Sequence, residues 1–405
     1  MTTTPILSVV MPTHNRAEYA GPAIEAILAT GNEELELVVS DTSDDGRLLR
    51  YLDVNPNIKT DRRLHYTKIE GPSNLTKNHN YAMTKARGLY VCLIGDDDGI
   101  SAETISAAHW ASDNNIDVLA HTISANYAWP DFRAKLTGSG HAARLYLPKK
   151  LRVPRWRDAT VDLAAGLKRA LQGTEELPRC YHGIVRRDLL EQIRAQTGEY
   201  FQGSSPDMSG AISLASMINK YVEVDYPLSL PGASAGSNSG RSAMNTHKGA
   251  LDSDSQTSEF TKSGWSEGVP RFFSVETVWA HAGLQSLRAL NPSAIKDFNY
   301  PKLLALCYFR HPDFTDMISA AKAEVEELTS VTPAGLDAQI KRETRNYILA
   351  RYKHLLRRSM TPTVAGGRAY IGGLPSIVEA TEALNERIHD QFSSFESYIA
   401  ELSQR

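Results

Sequence analysis

An α/β fold on a mixed, mostly parallel sheet is predicted by three features of the chain. Short apolar runs rich in Val, Ile and Leu alternate with helix-spaced segments as far as Leu230. Those runs are continuously apolar, as strands covered on both faces are, and two of them end directly in acidic turns. From Arg271 onward the periodicity turns helical. A Rossmann-type sheet flanked by helices, followed by a C-terminal helical domain, satisfies all three.

The elements follow in order. Ile6–Met11 is a short apolar strand, left by the loop Pro12-Thr13-His14-Asn15-Arg16. Ala17–Thr30 has helical spacing, with Ile24, Ile27 and Leu28 on one face and Gly31-Asn32 as its stop. Leu35–Ser40 is a second buried strand and runs into Asp41-Thr42-Ser43-Asp44-Asp45-Gly46; Leu64–Lys68 is a third. Asn74–Ala86 reads as a helix with a polar start, and Tyr90–Ile94 as a buried strand running into Asp96-Asp97-Asp98 between Gly95 and Gly99. Ser101–Asn114 is helical, and Asp117–Trp129 is one long strand or two. Residues 130–155 form a loop-rich insertion with an edge strand at Arg144–Pro148. A helix at Val161–Leu171, a strand at Cys180–Val185 and a helix at Arg187–Thr197 follow. Ser204-Ser205-Pro206-Asp207 opens a helix carrying Ala211, Leu214, Ala215 and Ile218, with proline in its first turn. Tyr221–Leu230 is a strand. Residues 231–268 are rich in Gly and Ser and poor in apolar side chains, which predicts a flexible, lid-like segment.

Phe273–Leu290, Tyr300–Phe309, Phe314–Leu328 and Pro333–Arg358 read as helices. The last has a basic face with Lys341, Arg342, Arg345, Arg351, Lys353, Arg357 and Arg358, which suits either an anionic membrane surface or the solvated side of a bundle. Gly366-Gly367 and Gly372-Gly373 break the pattern. A final helix, Pro375–Leu402, carries a seam from Ile377 to Leu402 suited to self-association or to docking back on the sheet. The expected division is therefore 1–270 and 271–405.

Composition bounds the function. At 405 residues the chain exceeds one average domain, and 41% hydrophobic with 22% charged residues is ordinary for a globular protein. A net charge of -3 argues against a general nucleic-acid binder. Cys92, Cys180 and Cys307 are scattered, with neither disulfide nor zinc spacing. Neither a signal peptide nor an apolar run near the ~20 residues of a membrane span is expected. A cytoplasmic protein is the reading. The acid triple carries most of the chemistry, since folding alone gives no reason to collect three repelling carboxylates. Ligands of open α/β sheets bind beyond the strands' carboxyl ends, and Mn²⁺ or Mg²⁺ carrying phosphates would neutralise such a cluster. The bland alternative is a solvated turn capping the helix near Ser101. Neither a dinucleotide fingerprint nor a P-loop is present.

Four blocks, taken jointly, resemble family 2 glycosyltransferases of the GT-A fold. They are Val9-Val-Met-Pro-Thr-His-Asn-Arg16, Val38-Val-Ser-Asp41 with Ser43, Asn74-Leu-Thr-Lys-Asn-His-Asn-Tyr-Ala82, and Asp96-Asp97-Asp98, which is similar to the Asp-x-Asp metal motif. The third departs from the family's Arg-Asn and Gly, with Lys77-Asn78 and then His79-Asn80. The fourth has Gly95 where the family often has an acid. The resemblance implies that Pro12, Thr13, Asn15 and Arg16 line a nucleotide pocket, and that Asp41 accepts from uracil or ribose. Lys77, beside Asn78, would sit near the diphosphate or pair with the acids. Asp96 and Asp97 would face the donor, with Asp98 the leading metal ligand and Asp96 a second. Inverting members place a base at the start of a helix after the sheet, often as Pro-Asp, and Pro206-Asp207 matches that pattern. Asp207 reads otherwise as a helix-dipole acid. Arg241 and Lys248 are candidate diphosphate cations in the lid, and His247 a candidate further metal ligand.

The implied function is an inverting hexosyltransferase. It would use a nucleotide-sugar donor, by implication a UDP-sugar, with Mn²⁺ or Mg²⁺, and a glycan or glycolipid acceptor of bacterial surface polysaccharide. Peripheral membrane contact and a homo-oligomer built through the C-terminal helices are further expectations. A nucleotidyltransferase would show a glycine-rich loop after the first strand, which this chain lacks; a non-catalytic scaffold would not need the acids.

Overall fold

The computed structural model describes residues 4–71, 73–244, 246–359 and 368–404. The strands are β1 (Leu7–Thr13), β2 (Leu35–Asp41), β3 (Leu64–Lys68), β4 (Tyr90–Leu93), β5 (Gly99–Ile100), β6 (Val118–His121), β7 (Asn126–Ala128) and β8 (Arg144–Leu147). They continue as β9 (Arg155–Asp158), β10 (Gly183–Arg186), β11 (Lys220–Val224), β12 (Ser229–Leu230), β13 (Gly232–Ala233), β14 (Lys248–Gly249), β15 (Phe273–Ser274) and β16 (Ala369–Gly372). The helices begin with α1 (Ala17–Leu28), α2 (Arg47–Val54), α3 (Pro56–Lys59), α4 (Leu75–Met83), α5 (Glu103–Asp113), α6 (Ala159–Lys168), α7 (Arg187–Thr197) and α8 (Pro206–Met217). They end with α9 (Asn238–Ala243), α10 (Val275–Leu290), α11 (Tyr300–Arg310), α12 (Thr315–Thr329), α13 (Pro333–Ser359), α14 (Ile377–Gln391) and α15 (Phe395–Ile399).

The main sheet has eight strands in the order β3-β2-β1-β4-β10-β6-β11-β9. β3, β2, β1 and β4 are mutually parallel, β10 runs against β4 and β6, and β11 is parallel to β6. The fold class is thus the mixed, mostly parallel sheet that the sequence predicts, covered on both faces. Strand alternation divides the apolar side chains. Leu7, Val9 and Met11 of β1, with Tyr90 and Cys92 of β4, face a core shared with α1, α5, α14 and α15. Val10, Val38, Val91 and Leu93 face the opposite core, with α4, α7 and part of α8. A further core joins α6 and α8 to α10, α11, α12 and the start of α13.

Several expectations change. Pro12 and Thr13 continue β1 rather than opening the loop, because β2 pairs with them out to Thr13↔Asp41. Arg144–Leu147 is not an edge strand: β7 flanks it on one side and β16, from near the C-terminus, on the other. The predicted last helix is two, parted at Phe392-Ser393-Ser394, and its seam is used internally. Ile377, Leu384, Ile388, Phe395 and Ile399 are buried with the sheet domain. The helices after residue 270 share cores with the sheet domain instead of forming one of their own. Segment 231–268 carries β13, α9 and β14 and is tied down by polar contacts: Gly232 N–H, Ser234 and Ala235 all reach acids of the sheet domain. The break at Gly366-Gly367 lies outside the described residues. Among the described residues no helix is long and apolar enough to cross a membrane.

Candidate active site

Because β1, β2 and β4 are parallel, their carboxyl ends meet at one edge of the sheet. That edge holds Thr13, Asp41 and the 95–98 turn. The turn closes on itself, since Gly95 N–H donates to Asp98 Oδ2 at 2.6 Å. Asp98 Oδ1 accepts from Gly232 N–H at 2.7 Å, and the Tyr181 hydroxyl donates to Oδ2 at 3.2 Å. Asp97 Oδ2 accepts from Ser234 Oγ at 2.6 Å, and Trp129 Nε1 donates to the Asp97 carbonyl at 3.0 Å. Asp96 accepts from Thr13 Oγ1 at 2.6 Å on Oδ2 and from Arg16 Nε at 2.7 Å on Oδ1.

Arg16 is the cation of this cluster. Its Nη2 lies 2.9 Å from Asp97 Oδ2 and donates to Ser234 Oγ at 2.7 Å, while its guanidinium sits 4.6 Å over the Tyr19 ring. One guanidinium does not balance three buried carboxylates. Burial pushes Asp97 up to about 7 despite Arg16, and Asp98 up to about 6 despite its two backbone N–H donors. Beneath Asp98 lies a buried polar layer. His182 Nε2 is 3.4 Å from Asp98 Oδ2, and Ser229 Oγ stands 2.8 Å from both His182 Nδ1 and His121 Nε2. Burial, then Arg179, holds His182 down to about 3, so the layer is neutral.

Asp207 sits in the first turn of α8, after Ser205 at the N-cap and Pro206. Its Oδ1 accepts from the Ser205 hydroxyl and from Met208 N–H at 2.8 Å. Among the described residues its Oδ2 takes no hydrogen bond. Burial raises its proton affinity above that of an ordinary carboxylate, against the lowering effect of those donors. The Tyr181 phenol is held well above its usual value by burial and then by the charges of Asp98, Asp97, Asp207 and Asp96. Asp207 and the acid triple therefore stand within Coulombic reach of one phenol.

The structure brings together Thr13, Arg16, Asp96, Asp97 and Asp98, with Asp207 nearby. Other expected site residues go elsewhere. Pro12 is buried inside β1, in register with Ser40. Asp41 is fully buried with both oxygens engaged, Oδ1 by Ser43 N–H at 2.8 Å and Oδ2 by Tyr66 OH at 2.8 Å, so it is not open to a base or ribose as it stands. Asn15, at φ 59, closes the loop onto Asp44 through Nδ2 (2.8 Å) and Oδ1 (2.9 Å). Asn78 is buried and clamps the ends of β1 and β2, accepting from Ser40 Oγ at 2.6 Å and donating to the Thr13 carbonyl at 3.0 Å. Lys77 pairs with Glu259 at 3.0 Å rather than with the acids. Arg241 pairs with Asp254 at 2.9 Å and Lys248 with Asp313 at 2.8 Å, so neither is a free diphosphate cation. His247 is bonded to Ser242 at 3.2 Å and its ring lies tilted 4.6 Å from that of Phe273, with no contact to the acids among the described residues.

The fit to a metal is specific. Asp98, the expected leading ligand, has both oxygens held by backbone N–H groups and is 1% exposed. Asp97 keeps Oδ1 without a hydrogen bond among the described residues, and Asp96 is its neighbour across Arg16. Among the described residues no three His, Cys, Asp or Glu side chains converge as a closed cage. Carboxylate oxygens of this kind suit a hard divalent ion that takes its remaining ligands from water and substrate phosphates. Sequence reasoning missed Tyr181, His182, Gly232 and Ser234, which contact the acids, and Ser229, which holds His182. The one local signal was the glycines: a Cβ on Gly232 would stand 1.8 Å from the Asp97 carbonyl oxygen.

Residues 8–167 match the family model described as Glycosyl transferase family 2. TuaG of Bacillus subtilis, a glycosyltransferase named for teichuronic acid biosynthesis, is 29% identical over 97 residues, 23% of this chain and 36% of that protein's length. Among solved structures, residues 1–349 of TarS from S. aureus in complex with UDP-GlcNAc align at TM-score 0.42 and 15% identity, over 85% of this chain and 92% of that one. The mannosyltransferase PcManGT from Pyrobaculum calidifontis, in complex with GDP-Man and Mn²⁺, aligns at TM-score 0.38 and 16% identity, over 87% and 88%.

Proposed function

Residues 8–167 match glycosyl transferase family 2, and from that match we propose that the chain is an inverting nucleotide-sugar glycosyltransferase of this family. The donor is a nucleoside diphosphate sugar, with UDP-sugars first to test. The acceptor is a hydroxyl of a growing glycan or glycolipid of bacterial surface polysaccharide, on the cytoplasmic side of the membrane. One observation carries the reading: buried carboxylates at the carboxyl ends of parallel strands, under-neutralised by Arg16, with the partly buried Asp207 carboxylate close by.

In this mechanism Asp207 Oδ2 takes the proton of the acceptor hydroxyl. The acceptor oxygen bonds to the anomeric carbon as the sugar–diphosphate C–O bond breaks on the opposite face, and the nucleoside diphosphate leaves with that electron pair. Inversion follows from the single displacement. A base raised by burial is better matched to this proton transfer than an ordinary surface carboxylate. Arg16 trades its carboxylates for diphosphate oxygens, anions that its fork of N–H groups also suits. Asp97, with an oxygen of Asp96 or Asp98 released from its present hydrogen bonds, would hold Mn²⁺ or Mg²⁺, which supplies charge neutralisation of the leaving diphosphate.

The test is thermal stability with UDP, GDP, dTDP and CMP, each with and without Mn²⁺. A ligand that binds the native state raises the melting temperature by mass action. A metal-dependent rise with one nucleotide, lost in Asp97→Ala, is expected. No rise with any pair in a folded sample would sink the reading.

A further inference from the structure

The second half of α13 carries an apolar stripe that is exposed among the described residues. The helix spans 27 residues, about 40 Å at ~1.5 Å per residue. Its first half is docked: Leu336 and Ile340 are buried in the helical core, and the Tyr347 ring lies 5.1 Å from Phe309 of α11. The acids of this half are paired, Asp337 with Lys322 at 2.6 Å and Glu343 with Lys302 at 3.9 Å. At ~100° per residue, Leu336, Ile340 and Tyr347 occupy one narrow face turned to that core.

Beyond Glu343 no acid occurs before the end of the helix. Leu349, Tyr352 and Leu355 are 53%, 64% and 51% exposed. With Ile348 they fill an arc of about 120° at ~100° per residue, pointing away from the docked face. Arg351 borders that arc on one side and Arg342 and Lys353 on the other. Lys341 and Arg345 lie within it one to two turns earlier. There, Lys341, Thr344, Arg345, Ile348 and Leu349 line a shallow recess of about 340 Å³. Among the described residues Lys341, Arg345, Arg351 and Lys353 pair with no carboxylate. A merely solvated face would need no second apolar stripe.

We propose that this face of α13 docks on an anionic bilayer surface. Its apolar stripe enters the headgroup boundary, and its cations contact lipid phosphates. Interfacial helices combine an apolar stripe with Lys and Arg rims in this way, and binding grows with both. Charge complementarity selects the occupant: the chain as a whole is at -3, so the cations are a local feature of this helix. The inference does not depend on the transferase reading.

The experiment is co-sedimentation of the full chain with vesicles of phosphatidylglycerol and phosphatidylcholine, or of phosphatidylcholine alone, at low and high salt. Two variants accompany it: Leu349→Glu/Tyr352→Glu/Leu355→Glu, and Arg345→Glu/Arg351→Glu/Lys353→Glu. All substituted positions lie outside the buried cores, so unchanged melting temperatures serve as the folding control. The wild type is expected to sediment with the anionic vesicles only, less at high salt, and each variant to lose at least tenfold in apparent affinity. A Tyr352→Trp variant is expected to shift its emission to the blue on anionic vesicles. Equal sedimentation of wild type and both variants, or none by the wild type, overturns the proposal. So does a wild-type oligomer that the apolar variant disperses in the absence of lipid binding, which would make the face a contact between copies.

Discussion

At the scale of single residues, the site is set by which carboxylates are already satisfied. Asp98 has both oxygens tied to backbone N–H groups, whereas Asp97 and Asp207 each retain an oxygen without a hydrogen bond among the described residues. Asp207→Asn keeps the shape and the Ser205 contact but removes the base. We expect transfer to fall by about 100- to 10,000-fold, with donor binding unchanged in the thermal assay. Burial raises the Asp207 pKa, so its protonated, inactive form persists above the ordinary carboxylate range. The acid limb of the kcat profile should accordingly lie above pH ~4 and vanish in the Asn variant. Gly232→Ala probes the shell: its Cβ would meet the Asp97 carbonyl oxygen at 1.8 Å, so backbone must shift. A loss of about 1–3 kcal/mol in denaturant unfolding is expected, together with weaker nucleotide binding.

At the scale of elements, polar pins decide how neighbours sit. Asn78 of α4 joins the ends of β1 and β2, and Ser234 joins the segment after β13 to the acid turn. Glu276 in the first turn of α10 binds His311 Nε2 at 2.8 Å and Arg310 at the end of α11 at 2.5 Å. Burial alone would raise its pKa, but His311 and Arg310 outweigh it and bring it to about 2. A carboxylate depressed on folding stabilises the native state above its unfolded value near 4.5, and that contribution is lost as pH falls toward 2. Glu276→Gln should therefore cost about 1–3 kcal/mol at pH 7, and its difference from wild type should shrink between pH 4.5 and 2. Urea unfolding of both proteins across that range checks it; a constant difference would refute the ion-pair account.

At the scale of the whole molecule, the chain returns on itself. α14 and α15 close the core over α1 and α5, so the C-terminus belongs to the sheet domain it follows by more than a hundred residues. Leu384→Ala, at a fully buried position, should cost about 2–5 kcal/mol by denaturant unfolding and leave the elution volume unchanged. A change in oligomeric state without loss of stability would show that the seam works between chains after all. By itself the sequence determined the α/β class, the strands up to the acid turn, and the helix start at Pro206-Asp207. Apolar periodicity, helix caps and strand-end acids are local signals, written within a few residues of one another. Only the tertiary structure decided that Arg16 neutralises Asp96 and Asp97, that Asp98 and Asn78 hold the frame, and that Lys77, Arg241 and Lys248 are spent on other acids. It also decided that the last helices dock internally. Most of those outcomes depend on partners far apart in the chain, from 13 residues for Arg241 and Asp254 to more than 300 for α1 and α14, where a charge or a stripe finds its match through chain closure that no local pattern encodes.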